Sequence, residues 1–248
     1  MTANDATLRH LLDLCIRSEK TGTWQYSAFL SPAEQQSLLC CPEAKRYAFF
    51  LTGGHEAAER KILAAGREDE AGPADPPISV ISVTPKNMKY AEELSHRDYL
   101  GAIMGLGIDR SLVGDILIRD RQAWFFCLSS AADMFSSLTQ VRRTAVVVQA
   151  VSSDVPELAP QYTPLRLNIA SERLDAVTAA FTGLSRGTAE KLFAAEKVFV
   201  NGMTVTNRDA RLKPGDILSV RGFGKAVYDG VERETKKNRL WISLRKYR

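Results

Sequence analysis

The chain contains, at residues 173–225, the run RLDAVTAAFTGLSRGTAEKLFAAEKVFVNGMTVTNRDARLKPGDILSVRGFGK, in which two helical periods precede short alternating segments. Leu174, Val177 and Phe181 recur at helical spacing, which predicts a short helix with one apolar face. Ser185 is a favourable N-cap residue and predicts the start of a second helix. Two consecutive helices are therefore expected in the first part of this run.

Strands joined by tight turns are expected in the second part. Residues 198–200 (VFV) alternate, and Asn201-Gly202 after them is a strong signal for a two-residue hairpin. Lys213-Pro214-Gly215-Asp216 has the composition of another turn, and period-two alternation follows it at residues 217–220. The run predicts a compact ααβ unit.

Positive charge is concentrated in the same part of the chain. Residues 165–248 hold 17 Lys or Arg and 9 Asp or Glu, a net charge of +8, whereas residues 1–164 hold 16 and 20, a net charge of −4. Arg186 lies in the first turn of the second predicted helix, where backbone N–H groups already favour a phosphate, and Lys191 points roughly the other way. This distribution fits a polyanion-binding module behind a slightly acidic front, although a solvated basic surface has the same composition.

Five blocks of this run resemble the RNA-binding domain named after small-subunit ribosomal protein S four. The blocks are R-L-D, S-R-x-x-A, V-x-V-N-G, K-P-G-D and R-G-x-G-K, and all occur in order between residues 173 and 225. The resemblance implies binding of structured RNA, often ribosomal or transfer RNA. Our hypothesis is that six cations contact phosphates: Arg173, Arg186, Lys191, Lys213, Arg221 and Lys225. In the same hypothesis Ser185 and Asn201 mainly shape the backbone while remaining within reach of RNA.

The front of the chain predicts a mixed α/β region. A helix is expected at residues 5–20, and Ser31-Pro32-Ala33-Glu34 carries the N-cap, proline and acid that open a second helix. Residues 46–52 (RYAFFLT) predict a strand, and residues 55–63 (HEAAERKIL) a helix or turn. Residues 66–77, rich in glycine, proline and acids, predict a linker.

The central part of the chain predicts a ferredoxin-like β-α-β-β-α-β order. Its expected elements are strands at 78–84, 114–118, 123–128 and 145–151 and helices at 95–106 and 131–141. Residues 152–164, with three prolines, predict a second linker. The fold class is therefore α+β. Three domains are expected: an N-terminal α/β domain at 1–75, a ferredoxin-like RNA-binding domain at 76–152 and the S-four-type domain at 165–248.

Residues 96–116, HRDYLGAIMGLGIDRSLVGDI, resemble the central domain of the YlmH family. Members pair this run with a C-terminal S-four-type domain, so the resemblance covers about residues 45–225. Gly101 and Gly105 suggest close helix packing, and Gly107 suggests a left-handed helix stop. Arg97 and Arg110 have two interpretations, contact with phosphate or pairing with the neighbouring acids Asp98 and Asp109.

Catalytic and metal-binding patterns are weak. The histidines (His10, His55 and His96) lie far apart, and the cysteines (Cys15, Cys40, Cys41 and Cys127) form no C-x-x-C pair, so they are expected to be reduced thiols. The triplet R-L-D also carries the nucleophilic aspartate of one class of pseudouridine synthases. Here Asp175 begins the predicted binding helix, where an acid is favoured by the helix dipole.

The expected function is a non-enzymatic, cytoplasmic RNA-binding protein without cofactor, metal or membrane segment, acting as a monomer. The resemblance implies association with the large ribosomal subunit, through ribosomal RNA, transfer RNA or both. Six basic residues of the tail could add phosphate contacts: Lys236, Lys237, Arg239, Arg245, Lys246 and Arg248. The alternatives are a ribosomal RNA-modifying enzyme that uses the front half for catalysis, and an adaptor for division or photosynthetic membranes.

Overall fold

The computed structural model describes residues 3–55, 57–66, 75–152, 158–235 and 238–247. The chain is of mixed α+β class, as predicted, and divides into two compact units, Met1–Ala159 and Pro160–Arg248. Within the described ranges, no helix is long and apolar enough to cross a membrane. Most of the first predicted linker, residues 67–74, and much of the second, residues 153–157, lie outside these ranges.

The first unit begins with two helices packed on a small sheet. Its elements are α1 (Ala3–Thr21), β1 (Gln25–Leu30), α2 (Pro32–Cys40), β2 (Phe49–Thr52) and β3 (Lys61–Ala65). The three strands are antiparallel in the order β1-β3-β2. The predicted start of α2 is confirmed as a capping box, because Ser31 Oγ accepts from the Glu34 amide and the Glu34 carboxylate accepts from the Ser31 amide at 2.7 Å.

The prediction of a helix or turn at residues 55–63 was wrong for its last three residues. Residues from Lys61 onward form β3, the central strand of the small sheet, and Ile62 to Ala65 are fully buried. A short central strand that is buried on both faces reads as a continuous apolar run. Such a run cannot be told from a buried helix by its period.

A five-stranded antiparallel sheet forms the rest of the first unit. Its strands are β4 (Ile78–Pro85), β5 (Val113–Arg119), β6 (Gln122–Leu128), β7 (Gln140–Val141) and β8 (Thr144–Val151), in the order β5-β6-β4-β8-β7, with helix α3 (His96–Met104). One face carries Phe125, which packs with Tyr99 of α3. The other face carries Phe126, which packs with Phe29 and Ile62 of the small sheet. The two sheets thus share a core.

The second predicted helix of the central region is not an α-helix. Residues Ser129–Ser137 form 3₁₀ turns, and the predicted C-terminal end, Gln140–Val141, belongs to a strand. The Ser136 hydroxyl donates to the Asp133 carbonyl at 2.6 Å, and the Ser137 hydroxyl donates to the Met134 carbonyl at 3.0 Å. Such local serine bonds compete with the α-helical ladder, which favours short turns.

The second unit consists of two helices on one six-stranded antiparallel sheet. Its elements are β9 (Tyr162–Ile169), α4 (Leu174–Thr182), α5 (Arg186–Ala194), β10 (Val198–Val200), β11 (Met203–Thr204), β12 (Ile217–Val220), β13 (Gly224–Glu234) and β14 (Leu240–Tyr247). The strand order is β11-β10-β12-β13-β14-β9. The Asn201-Gly202 hairpin is confirmed, with φ of 51° and 79° as a type I′ turn requires.

Part of the second predicted linker is a strand. Tyr162 begins β9, which pairs with β14 along its whole length, so that Tyr162 lies opposite Tyr247. β9 is the edge strand of the sheet, and an edge strand tolerates Pro164 because the missing N–H can lie on the unpaired side. Proline content alone therefore gave the wrong assignment for residues 162–164.

The glycines of the H-R-D to G-D-I run differ in what they do. Gly107 has φ of 76°, which confirms its predicted left-handed conformation, but the helix itself ends earlier, at Met104 with Gly105 as its C-cap. A Cβ on Gly101 would meet nothing within 4 Å, so the close-packing interpretation of that residue was wrong. A Cβ on Gly114 would lie 2.7 Å from Cε1 of the buried Phe29 ring. Gly114 is therefore the position at which the two sheets of the first unit approach too closely for a side chain.

Replacement of Gly114 tests this packing. We expect Gly114→Ala to lower the free energy of unfolding by about 1–3 kcal/mol, because the added methyl group displaces Phe29 in a filled core. Gly101→Ala is the matched control; it lies on an exposed helix position and should raise stability by up to about 1 kcal/mol. Urea unfolding followed by circular dichroism measures both, and equal effects at the two positions would contradict the packing described.

Candidate nucleic-acid interface

The Asp175 carboxylate lies at the junction of α4 and α5. It is 1% exposed and accepts hydrogen bonds from the Ala176 amide at 2.8 Å and from Arg173 Nε at 3.2 Å. Arg186, the first residue of α5, donates to it from Nε at 3.1 Å and from Nη2 at 2.9 Å. One buried carboxylate thus ties the starts of both helices together.

Two arginines keep this buried charge ionised. Burial by itself would raise the pKa of Asp175, but the hydrogen bonds from Arg173 and Arg186 and the positive charge of Arg186 outweigh it and lower the pKa below its ordinary value. A position in the first turn was predicted for Asp175 and is confirmed. The sequence did not reveal the pair with Arg186, which lies 11 residues away and on the next helix.

Both arginines remain accessible. The side chains of Arg173 and Arg186 are 43% and 49% exposed. Arg186 uses the Nε and Nη2 edge of its planar fork for Asp175, and Nη1 lies at the other edge. Arg173 also pairs with exposed Asp209. A guanidinium held in this way keeps one orientation and can meet a phosphate at its solvent side.

The other predicted residues of the helices and turns lie nearby in sequence but serve different local roles. Ser185 caps α5 by accepting from the Thr188 amide at 3.2 Å, and Lys191 is exposed in the last turn of that helix. Asn201 donates to Asp216 at 2.8 Å and accepts from the Ile217 amide at 2.9 Å. Its amide therefore joins the hairpin to the next turn, which agrees with its expected backbone role.

The remaining predicted cations occupy separate places. Lys213 is exposed at the turn before β12, where its amide donates to Asp216 at 2.7 Å. Arg221 and Lys225 lie on the sheet face turned away from α4 and α5, since Lys225 is paired with Ser219 while the alternate residue Leu218 is in the core under the helices. The eight predicted residues therefore form three groups: the helix junction with Lys191, the hairpin turns, and the outer sheet face.

In the first unit, Arg110 and Asp115 of the H-R-D to G-D-I run stabilise the fold. Asp115 accepts from the Glu59 and Arg60 amides at 2.6 and 3.1 Å and lies 3.4 Å from His55 Nε2. Arg110 donates to the carbonyls of Val113 and Gly114, and burial together with the nearby positive charge of Arg60 lowers the pKa of Arg110 to about 10. Neither of the two predicted roles for Arg110 describes this arrangement.

The acids expected to pair with Arg97 and Arg110 have other partners. Asp98 caps α3 with Ser95 and forms an ion pair with Arg142 at 2.9 Å. Asp109 accepts from the Ser111 amide at 2.7 Å. The carboxylates of Asp98 and Asp109 thus bond to helix-cap groups and, for Asp98, to the distant Arg142, instead of to the neighbouring Arg97 and Arg110.

The sequence analysis did not single out the loop at residues 86–95, which carries two lysines, an exposed tyrosine and two glutamates. Tyr90 is 74% exposed, with Lys89 Nζ at 5.7 Å from the centre of its ring. Arg121, in the turn between β5 and β6, donates to the Met88 carbonyl at 3.2 Å, and the Arg143 amide, in the turn between β7 and β8, donates to the Glu92 carboxylate at 3.0 Å. The signal in the sequence that could have indicated this loop is the run Lys-Asn-Met-Lys-Tyr at residues 86–90, directly after β4.

Metal or thiol chemistry has no assembled site in the part of the chain that the structure covers. There, no three residues among His, Cys, Asp and Glu are placed to hold a metal ion. The four cysteines are free thiols, and burial raises the pKa of Cys15 to about 11 and that of Cys127 to about 12. Such buried thiols are poor nucleophiles.

Comparison with known proteins places these features in a family. A family model described as "Putative RNA-binding domain in YlmH" matches residues 77–154. The "Ribosome-associated protein quality control protein P2" of Bacillus subtilis is 30% identical over 221 residues, which cover 87% of this chain and 84% of the relative. The chain belongs to the YlmH family. The family resemblance of residues 96–116 is thereby confirmed.

The matched RNA-binding domain of the YlmH family coincides with the five-stranded sheet and includes the loop at residues 86–95. Among solved structures, the "Cell division protein ylmH from Streptococcus pneumoniae" is similar, with 20% identity and a TM-score of 0.49. The similarity covers 61% of this chain and 93% of that chain.

Substitution of Asp175 tests the helix junction. We expect Asp175→Asn to lower the free energy of unfolding at pH 7 by about 1–3 kcal/mol, with the half-exposed arginines favouring the low end. Because folding lowers the pKa of this carboxyl, its contribution is present above about pH 4 and is lost as the pH falls through the folded value. The variant should therefore lose stability less steeply on acidification.

Urea unfolding between about pH 2 and pH 7 measures this difference. Asp209→Asn is the control, since Asp209 also pairs with Arg173 but is 67% exposed and should change stability by less than about 0.5 kcal/mol. Parallel pH curves for the wild type and Asp175→Asn would contradict the assignment.

Proposed function

We propose that this YlmH-family chain is a non-enzymatic RNA-binding protein that acts on the ribosome. The observation that carries the proposal is the RNA-binding domain at residues 77–154, within a chain that resembles a ribosome-associated quality-control protein over most of its length. The partner we propose is structured RNA of the large subunit, ribosomal RNA with or without transfer RNA. The process is assembly, translation or the rescue of stalled subunits in the cytoplasm, with the protein acting as a monomer.

In this proposal the second unit contains an S-four-type domain at residues 165–248. Support comes from where the five sequence blocks fall: the starts of α4 and α5, the type I′ hairpin, the turn before β12 and the turn after it. Arg173, Arg186 and Lys191 would contact phosphates on the helix side. Salt-sensitive binding follows, since each phosphate contact releases counterions.

For the first unit we propose domains at residues 1–75 and 76–152, the latter of ferredoxin-like plan. The support is the antiparallel order β8-β4-β6-β5, which follows the chain order 4-1-3-2 of a split β-α-β arrangement. The loop at residues 86–95 would supply a second RNA contact there, because it combines the exposed ring of Tyr90 with Lys89 and with Arg121 of the turn between β5 and β6.

The burial of Asp175 argues against the alternative function of an RNA-modifying enzyme. A nucleophilic aspartate must reach its substrate, whereas Asp175 is 1% exposed and held by two arginines. We therefore assign the R-L-D triplet to the positioning of arginines that bind RNA. Neither metal nor cofactor is part of the proposed function.

Charge reversal on the helix side tests the proposal. In a filter-binding titration with ribosomal RNA, Arg186→Glu combined with Lys191→Glu should weaken binding at least about tenfold and reduce the salt slope by about 1–2, as the loss of one or two phosphate contacts requires. Unchanged affinity in the double variant would refute the assignment of these residues.

Two further variants separate binding from folding. Lys191→Glu alone leaves the Asp175 contacts in place and should still weaken binding, by a smaller factor. Arg17→Glu combined with Lys20→Glu makes the same charge change at exposed positions of α1 and should leave the affinity within about twofold. Equal weakening by both double variants would point to net charge rather than to a defined surface.

A further inference from the structure

The outer face of the six-stranded sheet carries a repeated arrangement of rings and cations. Its residues alternate with core residues: in β14, Ile242 and Leu244 pack under the helices, whereas Trp241 and Arg245 face the other way. In β13, Ala226 and Tyr228 belong to the core, and Lys225 therefore shares the outer face with Arg245. Period-two alternation across paired strands places these outward side chains on one surface.

Four cation–aromatic pairs lie on this outer face. Lys225 Nζ is 4.6 Å from the ring centre of Tyr247, and the Arg245 guanidinium is 4.8 Å from that of Tyr162. The two tyrosines face each other across β14 and β9, with ring centres 4.9 Å apart. The two other pairs, at 5.5 and 6.0 Å, are Arg221 with Phe199 and Arg233 with Trp241.

The face is predominantly positive. Among the residues that the structure describes, five cations lie on it, in the order of the chain Arg166, Arg221, Lys225, Arg233 and Arg245, and two carboxylates accompany them. Asp229 accepts from Arg245 at 3.0 Å, and Glu232 forms an ion pair with Arg166 at 2.7 Å. Arg221, Lys225 and Arg233 add positive charge beside their rings.

This combination matches the chemistry of unpaired nucleotides. An exposed base offers a flat π surface that stacks on an aromatic ring, and its phosphate offers a charge to the cation beside that ring. A duplex hides its base faces within the helical stack, so it would use the cations but not the rings. The rings are half-buried rather than covered, which leaves their surfaces available in part.

We propose that the outer sheet face, defined by Phe199, Tyr162, Tyr247 and Trp241 with their four cations, binds unpaired nucleotides of an RNA whose folded part contacts the helix side. The proposal rests on the proposed RNA-binding function and adds the class of nucleotide that this face takes. The face works as a stacking platform, and Arg221 and Lys225 act beside the rings instead of contacting a stem.

The test uses the full-length protein and two RNA probes. One is a stem with a single-stranded extension of about eight nucleotides carrying 2-aminopurine, a length within the range that stacking surfaces cover. The other is the same stem with blunt ends. The variant is Tyr162→Leu with Tyr247→Leu, which removes the rings and keeps apolar side chains; Tyr162→Phe with Tyr247→Phe is the matched control that keeps both rings.

The extension should make the wild type and the phenylalanine control bind at least about tenfold more tightly than the blunt stem, with quenching of 2-aminopurine fluorescence. The leucine variant should lose that advantage and the quenching, while its affinity for the blunt stem and its thermal unfolding stay near those of the wild type. Trp241→Leu gives a second, independent loss of quenching if the leucine pair unfolds.

Three results would overturn the proposal. If the extended probe still binds more tightly than the blunt stem in both the leucine pair and Trp241→Leu, the stacking platform is refuted. The proposed RNA-binding function is not affected by that result. Displacement of the extended probe by a polyglutamate peptide at equal charge concentration would assign the face to an acidic protein. Failure of the wild type to bind either probe refutes the proposed function and the platform with it.

Discussion

The fold of the second unit depends on the neutralisation of one buried carboxylate. Asp175 has almost no contact with solvent, and a buried charge without a partner would cost several kcal/mol, so both arginines must stay on it. Because Arg173 and Arg186 sit at the starts of consecutive helices, this requirement holds the starts of α4 and α5 together. The same guanidiniums then meet solvent in fixed orientations, so an anion that binds them does not have to order them first.

In the first unit, charged side chains with little exposure are also paired, but their partners are backbone groups. The side chains of Arg60, Arg110 and Asp115 form hydrogen bonds with backbone groups between the two sheets. At the same place Gly114 leaves room for Phe29. Around these residues, the run at 96–116 that resembles the YlmH family therefore mainly stabilises the fold. Within the family's RNA-binding domain, the exposed ring of Tyr90, with the charge of Lys89 beside it, belongs instead to the loop at residues 86–95.

Positive charge in the second unit is distributed over both sides of one sheet. The helices bury one side, and their starts hold arginines on a carboxylate. The other side holds cations on aromatic rings, in which each ring restricts the cation without neutralising it. An RNA with both a folded part and unpaired nucleotides would find complementary chemistry on each side, and the net charge of +8 in residues 165–248 would attract it.

The sequence by itself determined what depends on a few neighbouring residues: the capping box at Ser31, the type I′ turn at Asn201, the left-handed Gly107, the cap at Ser185 and the family. It also named the cations of the candidate site. Only the tertiary structure decided where those cations point, because pairing between Asp175 and Arg186, or between Lys225 and the ring of Tyr247, needs segments far apart in sequence to meet. For the same reason β3, β9 and the outer sheet face emerged only with strand pairing, since which strands lie beside each other depends on segments that are distant in the chain.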